Sequence, residues 1–195
     1  MTTQAMRFTR MDQSTAEEWR HIMAECAQGD SEVPDKVLGL LKQIGGHTLG
    51  FAVDRYEHSL QTATRALRGG ADEELIVVAL LHDIGDFYVP SHHAAVSAAI
   101  LEPYISSENY WLVKHHAIFQ GYYYFHLIGG NRDERERFRG HPAFEKTAEF
   151  CERWDQTSFD PDYDTLGLET FEPMVRRILH PSRARNGGGS VFSAG

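Results

Sequence analysis

The chain has little cysteine: two residues in 195, Cys26 and Cys151, and no C-x-x-C spacing. That excludes a disulfide framework and zinc-ribbon knuckles. Both thiols are read as free and buried or half-buried. Long apolar runs are missing too. No stretch approaches the roughly 18 apolar residues of a membrane-spanning helix. The opening, MTTQAMRFTRMDQ, has no apolar core of signal-peptide length, so the expected compartment is the cytoplasm. Basic residues are in deficit, with 19 Lys and Arg against 28 Asp and Glu, for a net charge of −9. Binding to a phosphate backbone needs clustered Lys and Arg, so nucleic acid is excluded as the main partner. A nucleotide held through a metal is not. Alternating strand patterns, internal repeats and a convincing linker are all absent.

What the chain does have is helix signals. The segment 14–28 starts at Ser14 with acidic residues in its first turn, and Gly29 is its expected stop. Segment 33–44 has Pro34 near its start, and Gly45–Gly46 ends it. A helix is expected at 54–68, closed by Gly69–Gly70. The next, 72–83, has Asp72 as cap and Glu73 and Glu74 to complement the helix dipole; its middle is apolar all round. A helix apolar on every side is buried on every side, so its end carries His82 and Asp83 into the interior or a cleft. Helices follow at 91–104 and 106–120, then GYYYFHLIGG as an aromatic loop or broken segment. A short charged, solvated helix is expected at 131–138, a helix at 141–155 with Pro142 in its first turn, and a last one at 168–179 bent by Pro173. The fold class expected is an all-α bundle forming a single domain. Residues 1–46 supply helices that pack on a core domain of 47–180, and 181–195 form a flexible tail with Gly/Ser bias.

Eleven histidines are an unusual number, and their positions matter more than their count. His58, His82, Asp83, one of His92 or His93, one of His115 or His116, and Asp155 all fall inside or at the ends of apolar helices. Burying several imidazoles and two carboxylates without partners would cost several kcal/mol each. A divalent or trivalent cation removes that cost by accepting their lone pairs. Imidazole plus carboxylate suits iron, manganese, zinc, nickel or cobalt. The lack of a cysteine ligand argues against a closed structural zinc site. Facing helices of a bundle are a common frame for such a centre. At a loosened helix end, His82 can address one metal while Asp83 turns its two oxygens to two.

The pattern His58, His82–Asp83, His93, His116, Asp155 resembles the HD superfamily, named for the His–Asp pair, in its dinuclear form. The stretches EHSLQTA, LLHDIGD, HHAAVSAAIL, WLVKHHAIFQGYYY and HPAFEKTAEFCERWD are most similar to the HD-domain mixed-valence diiron oxygenases, which include myo-inositol oxygenase and phosphonate-cleaving oxygenases. The resemblance implies an HD-domain helical bundle and two iron ions, Fe(II)/Fe(III), with Mn, Co, Ni or Zn as the alternative. It implies His58, His82, Asp83 and Asp155 on one ion, and Asp83, His93 and His116 on the other. Asp83 is then the bridging residue and the candidate catalytic one. The implied activity is O2-dependent oxidation or cleavage of a small hydroxylated substrate. The competing reading is a metal-dependent phosphohydrolase acting on a nucleotide or phosphoester, with the same ligands activating water. A non-catalytic module that keeps its metals structurally ranks below both.

Departures from the phosphonate-cleaving members mark the candidate substrate-binding residues. Thr48 and Phe51 stand where those members carry a Tyr and a Glu, Gln120 replaces a phosphonate-binding lysine, and Glu152 replaces an arginine. Tyr123 joins this set from the aromatic run 119–125, whose first reading is core packing. Lys114 and Arg55 are read as surface charges. The expected partners are a small molecule and O2, with a homodimer as the expected assembly.

Overall fold

In the computed structural model, residues 7–184 are described, and they form an all-α body. Its helices are α1 Ala16–Ser31, α2 Val33–Gln43, α3 Arg55–Arg68, α4 Glu73–Leu81, α5 His93–Leu101, α6 Ser107–Tyr124, α7 Phe144–Phe150 and α8 Leu168–Ile178. The expected tail, 181–195, lies outside the described residues apart from a 3-10 turn at Pro181–Arg183.

The helix starts follow from the caps. Thr15, one residue past the expected Ser14, forms a reciprocal capping box with Glu18 at the head of α1. Asp54 caps α3 through one carboxylate oxygen, 2.8 Å from Glu57 N. Its other oxygen accepts from Gly46 N at 2.7 Å, tying the preceding loop to the helix head. Asp72 caps α4 and Ser106 caps α6. Glu74, in the first turn of α4, accepts from Ser106 N at 2.6 Å and from the Asn109 side chain at 2.8 Å. The heads of α4 and α6 are thereby locked together.

The core is built around α4. Every side chain from Leu75 to Leu81 is buried, and α3, α6 and α8 pack against this helix. Each of its Leu, Ile and Val side chains is stabilised by about 1.5–3 kcal/mol through burial. Five residues of α2, Pro34, Val37, Leu38, Leu40 and Leu41, are buried as well, and the four apolar side chains that follow Pro34 belong to the same cluster. In contrast, α1 buries none. Among the described residues no helix is long and apolar enough to cross a membrane.

Several sequence expectations need correction. Gly29 does not stop α1, which runs to Ser31; nothing approaches Gly29, and its extra backbone freedom is not used for a turn. The aromatic segment after Gln120, expected as a loop or a broken segment, is helical with a break. Helix α6 continues through Gly121 to Tyr124 before a 3-10 turn, Phe125–Ile128. Gly121 is there for space: a Cβ would lie 2.2 Å from the Phe125 ring. The segment from Ser91 becomes α-helical only at His93, after a 3-10 turn Pro90–His92. The charged segment expected as a short solvated helix is a 3-10 helix, Arg132–Phe138, with no buried residue. Arg132 and Arg135 stack on the Tyr122 ring, and Phe138 packs edge-on against Trp111. Pro173 falls inside the last helix, α8, as expected. Finally, α7 gives way to a π-helical turn, Cys151–Asp155, instead of remaining α-helical to its end.

Candidate metal centre

Five elements bring the polar residues together. His58 lies in the first turns of α3, and His82 is the C-terminal cap of α4 with Asp83 next. His93 opens α5, His116 faces inward from α6, and Asp155 closes the π-helical turn. Pi-turns of this kind are a recurrent feature of functional sites, because the wider turn re-aims a side chain. His58, His82, Asp83, His116 and Asp155 are each at most 3% exposed.

The orientation of the rings is set by the backbone. Nδ1 of His58 faces the carbonyl of Ser158 at 2.9 Å, and Nδ1 of His82 faces that of Ala79 at 2.8 Å. Nδ1 of His93 faces Pro90 O and Nδ1 of His116 faces Val113 O, both at 2.7 Å. A carbonyl oxygen only accepts, so each Nδ1 carries a proton. Each Nε2 of a neutral ring is then a bare lone pair. These lone pairs converge in two clusters. His58 Nε2 and His82 Nε2 are 3.3 Å apart, and so are His93 Nε2 and His116 Nε2.

Asp83 lies between the clusters. Its Oδ1 is 3.3 Å from His93 Nε2 and 3.1 Å from His116 Nε2. Its Oδ2 is 3.5 Å from His58 Nε2 and 3.6 Å from His82 Nε2. Asp155 Oδ1 completes the first cluster, at 3.3 and 3.7 Å from the same two nitrogens. Two lone pairs pointed at each other at 3.3 Å repel unless a proton or a cation lies between them. Ligands about 2.1 Å from a cation, at right-angled to tetrahedral separations, sit about 3.0–3.4 Å from one another. The donor set and its spacing therefore fit two cations that share one carboxylate. His58–His82–Asp155, His82–Asp83–His116 and Asp83–Asp86–His93 are each a set of ligand atoms close enough to hold an ion, and Asp83 is shared by two of them.

The electrostatics agree. Burial works against the charged form of His82, but Asp83 and Asp155 overcome it and push its pKa up to about 9. Burial would raise Asp83, yet the surrounding histidines, His82 first, hold its carboxyl well below the usual range. Asp155 is likewise held down, by His58 and His82 against the effect of burial. Burial lowers His116. The first cluster thus favours positive charge, while burial holds His116 toward the neutral form that a metal ligand requires.

Two further residues hold Asp155. The Gln120 side chain donates to its Oδ1 at 2.9 Å, and Cys151 Sγ lies 3.8 Å from its Oδ2. Asp86 belongs to a different layer. It lies 3.3 Å from Nδ1 of His93, on the side away from Nε2, where the shorter contact to Pro90 O already uses the proton. Arg55 Nε is 2.8 Å from Asp86 Oδ2 but off the N–H direction, a charge contact rather than an aligned hydrogen bond.

A cavity of about 410 Å³ opens beside the clusters, reaching Asp83, His93, His116 and Asp155. Of the five candidate substrate-binding residues, Phe51, Gln120 and Tyr123 line it. Thr48 and Glu152 do not. Thr48 is exposed in a turn ahead of α3, its carbonyl accepting from Phe51 N at 2.9 Å. Glu152 is exposed because the π-helical turn widens the register, and Gln156 lines the cavity instead. His92 is exposed, and His115 is stacked on Trp111 away from the clusters. Lys114 is on the surface beside Tyr110. Arg55 is a correction to the sequence reading: it lines the cavity and is 19% exposed. Its place one helical turn before His58 was the available signal. Phe159 carried no such signal. It stacks on His58 at 4.5 Å and on Phe51 at 5.0 Å, from a segment that reads only as a loop.

The profile of the HD domain family matches residues 55–154, and the chain belongs to that family. It is also 29% identical over 160 residues to a [1-hydroxy-2-(trimethylamino)ethyl]phosphonate dioxygenase (glycine-betaine-forming) from Leisingera caerulea. That alignment covers 67% of this chain and 82% of the relative.

Proposed function

We propose that this HD-domain protein is a diiron oxygenase that uses O2 to oxidise or cleave a small hydroxylated molecule. The observation that carries the two-metal part is the division of Asp83, each of whose oxygens faces its own pair of histidine Nε2 atoms. The similarity to a dioxygenase over most of both chains supports the oxygenase part. His58, His82, Asp83 and Asp155 would hold one iron, and Asp83, His93 and His116 the other. When bound, the ions would supply redox chemistry with O2 and Lewis acidity toward a substrate hydroxyl.

The chain's own contribution is placement. The four backbone carbonyls fix the tautomer and aim of each imidazole, which is the usual task of outer partners around metal ligands. Gln120 keeps Asp155 turned toward His58 and His82. Phe51, Ala117, Tyr124 and Phe159 give the cavity a largely apolar wall against which the body of a substrate would pack. A phosphohydrolase would need cationic groups at this cavity for its phosphates, and among the described lining residues only Arg55 carries a fixed positive charge.

Elemental analysis after iron loading is the direct test, with two irons per chain and a mixed-valence EPR signal on partial reduction as the expected result. Phosphate release from nucleotides or simple phosphoesters with Mn, Co or Ni, together with an EPR-silent iron form, would replace this reading with the hydrolase.

A further inference from the structure

Holding metal does not account for Arg55. It projects from the same face of α3 as His58, one turn earlier, and is the single Lys or Arg among the described residues lining the cavity. A guanidinium has five N–H donors. Here Nε faces Asp86 and one terminal nitrogen lies 3.6 Å from Asp83 Oδ2, beyond a direct hydrogen bond. The flat group lies over the Phe51 ring, 4.7 Å from its centroid. Arg55 is therefore anchored at its Nε end and stacked on one face, while its terminal N–H groups keep donors to spare. Across the cavity, Gln120 commits its amide N–H to Asp155, and its Oε1 is buried with no partner. Phe159 and Tyr124 complete an apolar side.

We propose that Arg55 is the specificity-determining residue of this cavity, taking the carboxylate of a small monoanionic hydroxy acid. The acid's hydroxyl lies toward the histidine–aspartate centre and its apolar body against Phe159 and Tyr124. This rests on reading the centre as a dinuclear site that receives a substrate hydroxyl. The planar guanidinium fork matches a planar carboxylate. One guanidinium, partly compensated by Asp86, suits a single negative charge better than a dianion. The unpartnered Gln120 Oε1 offers an acceptor to a donor on the ligand.

The test is calorimetric binding to zinc-loaded protein, since zinc occupies such ligands without redox chemistry. The probes are mandelate, its neutral counterpart 1-phenyl-1,2-ethanediol, and 1-hydroxybenzylphosphonate. Wild type is expected to bind mandelate at least about tenfold more tightly than the diol, and the phosphonate no more tightly than mandelate. Arg55→Gln, with its metal content checked, is expected to lose about tenfold to a hundredfold in mandelate affinity, the usual loss for a charge-assisted contact, and to bind the diol as before. Arg55→Lys keeps the charge beside Asp86 without the fork, so it serves if the glutamine variant sheds metal. An intermediate loss for mandelate alone is expected there. The proposal falls if no probe binds wild type, or if the phosphonate binds tenfold more tightly than mandelate. It also falls if mandelate retains its advantage in Arg55→Gln, which would mean that the metals alone hold the carboxylate. Failure of the oxygenase reading would show instead in iron content and O2 consumption, which this assay does not use.

Discussion

Replacing Asp83 by asparagine separates the two clusters. The His58–His82 pair has a second carboxylate, Asp155, 3.3 and 3.7 Å away. The Nε2 atoms of the His93–His116 pair face only Asp83 among the described carboxylates. The substitution removes the negative charge from both sides at once, and only one of the two terminal atoms of the amide retains a lone pair for a cation. The first cluster keeps two imidazoles and a carboxylate, whereas the second keeps two imidazoles alone. Removing one partner of a buried charge pair costs about 3–5 kcal/mol, which corresponds to a loss of affinity of roughly a hundredfold to several thousandfold. The second cluster should take the full loss. Loaded protein dialysed against a weak chelator and measured by elemental analysis should fall from two metals per chain to one. Asp155→Asn should weaken the first cluster while leaving Asp83 for both. An Asp83→Asn protein that keeps two metals with affinity within tenfold of wild type would refute the shared-carboxylate reasoning.

Gly85→Ala would put a Cβ 2.3 Å from His93 O and 2.9 Å from His93 Cα, so the head of α5 must shift; reduced metal content with the helical circular dichroism of wild type is the expected readout. Phe119→Ala empties a fully buried site packed against Trp111, Phe138 and Phe144. It should cost about 3–5 kcal/mol, seen as a lower urea midpoint, and loosen the helix that carries His116 and Gln120. In chelated protein, His82 has a folded pKa of about 9 against 6.5 unfolded. Its contribution to stability is therefore fully present below about pH 6.5 and is lost as pH rises through about 9. Urea midpoints of the metal-free protein should decline across that window, and the decline should be shallower in His82→Gln.

Much of the fold was legible because it depends on local chemistry. Asp72 announces its helix by capping, and the all-round apolar α4 can only be a central helix. Where the sequence misled, tertiary packing overrode a local signal. The expected end of the sixth helix at Gln120 is passed, because Gly121 leaves room for Phe125 inside a continuing turn. The helix expected over 141–155 ends instead in a π-helical turn, which leaves Glu152 exposed. Arg55 reads as a surface charge until Asp86 and Phe51 are seen to hold it in the cavity wall.

By itself, then, the sequence determined the all-α class, the approximate places of the helices, and an interior polar set of His58, His82, Asp83, Asp155 and one histidine from each adjacent pair. Those follow from periodicity, capping and the cost of burying unpartnered polar groups, whereas the family and the choice of His93 and His116 within their pairs came from the resemblance to the HD superfamily. Only the tertiary structure decided which nitrogen of each ring faces inward, because that depends on carbonyls as distant in sequence as Ser158 is from His58. It also decided that the two oxygens of Asp83 face different histidine pairs, and that Arg55, Gln120 and Phe159 meet at one cavity. Contacts between α3, α6 and the segment after α7 are long-range, and no local pattern in the chain encodes them.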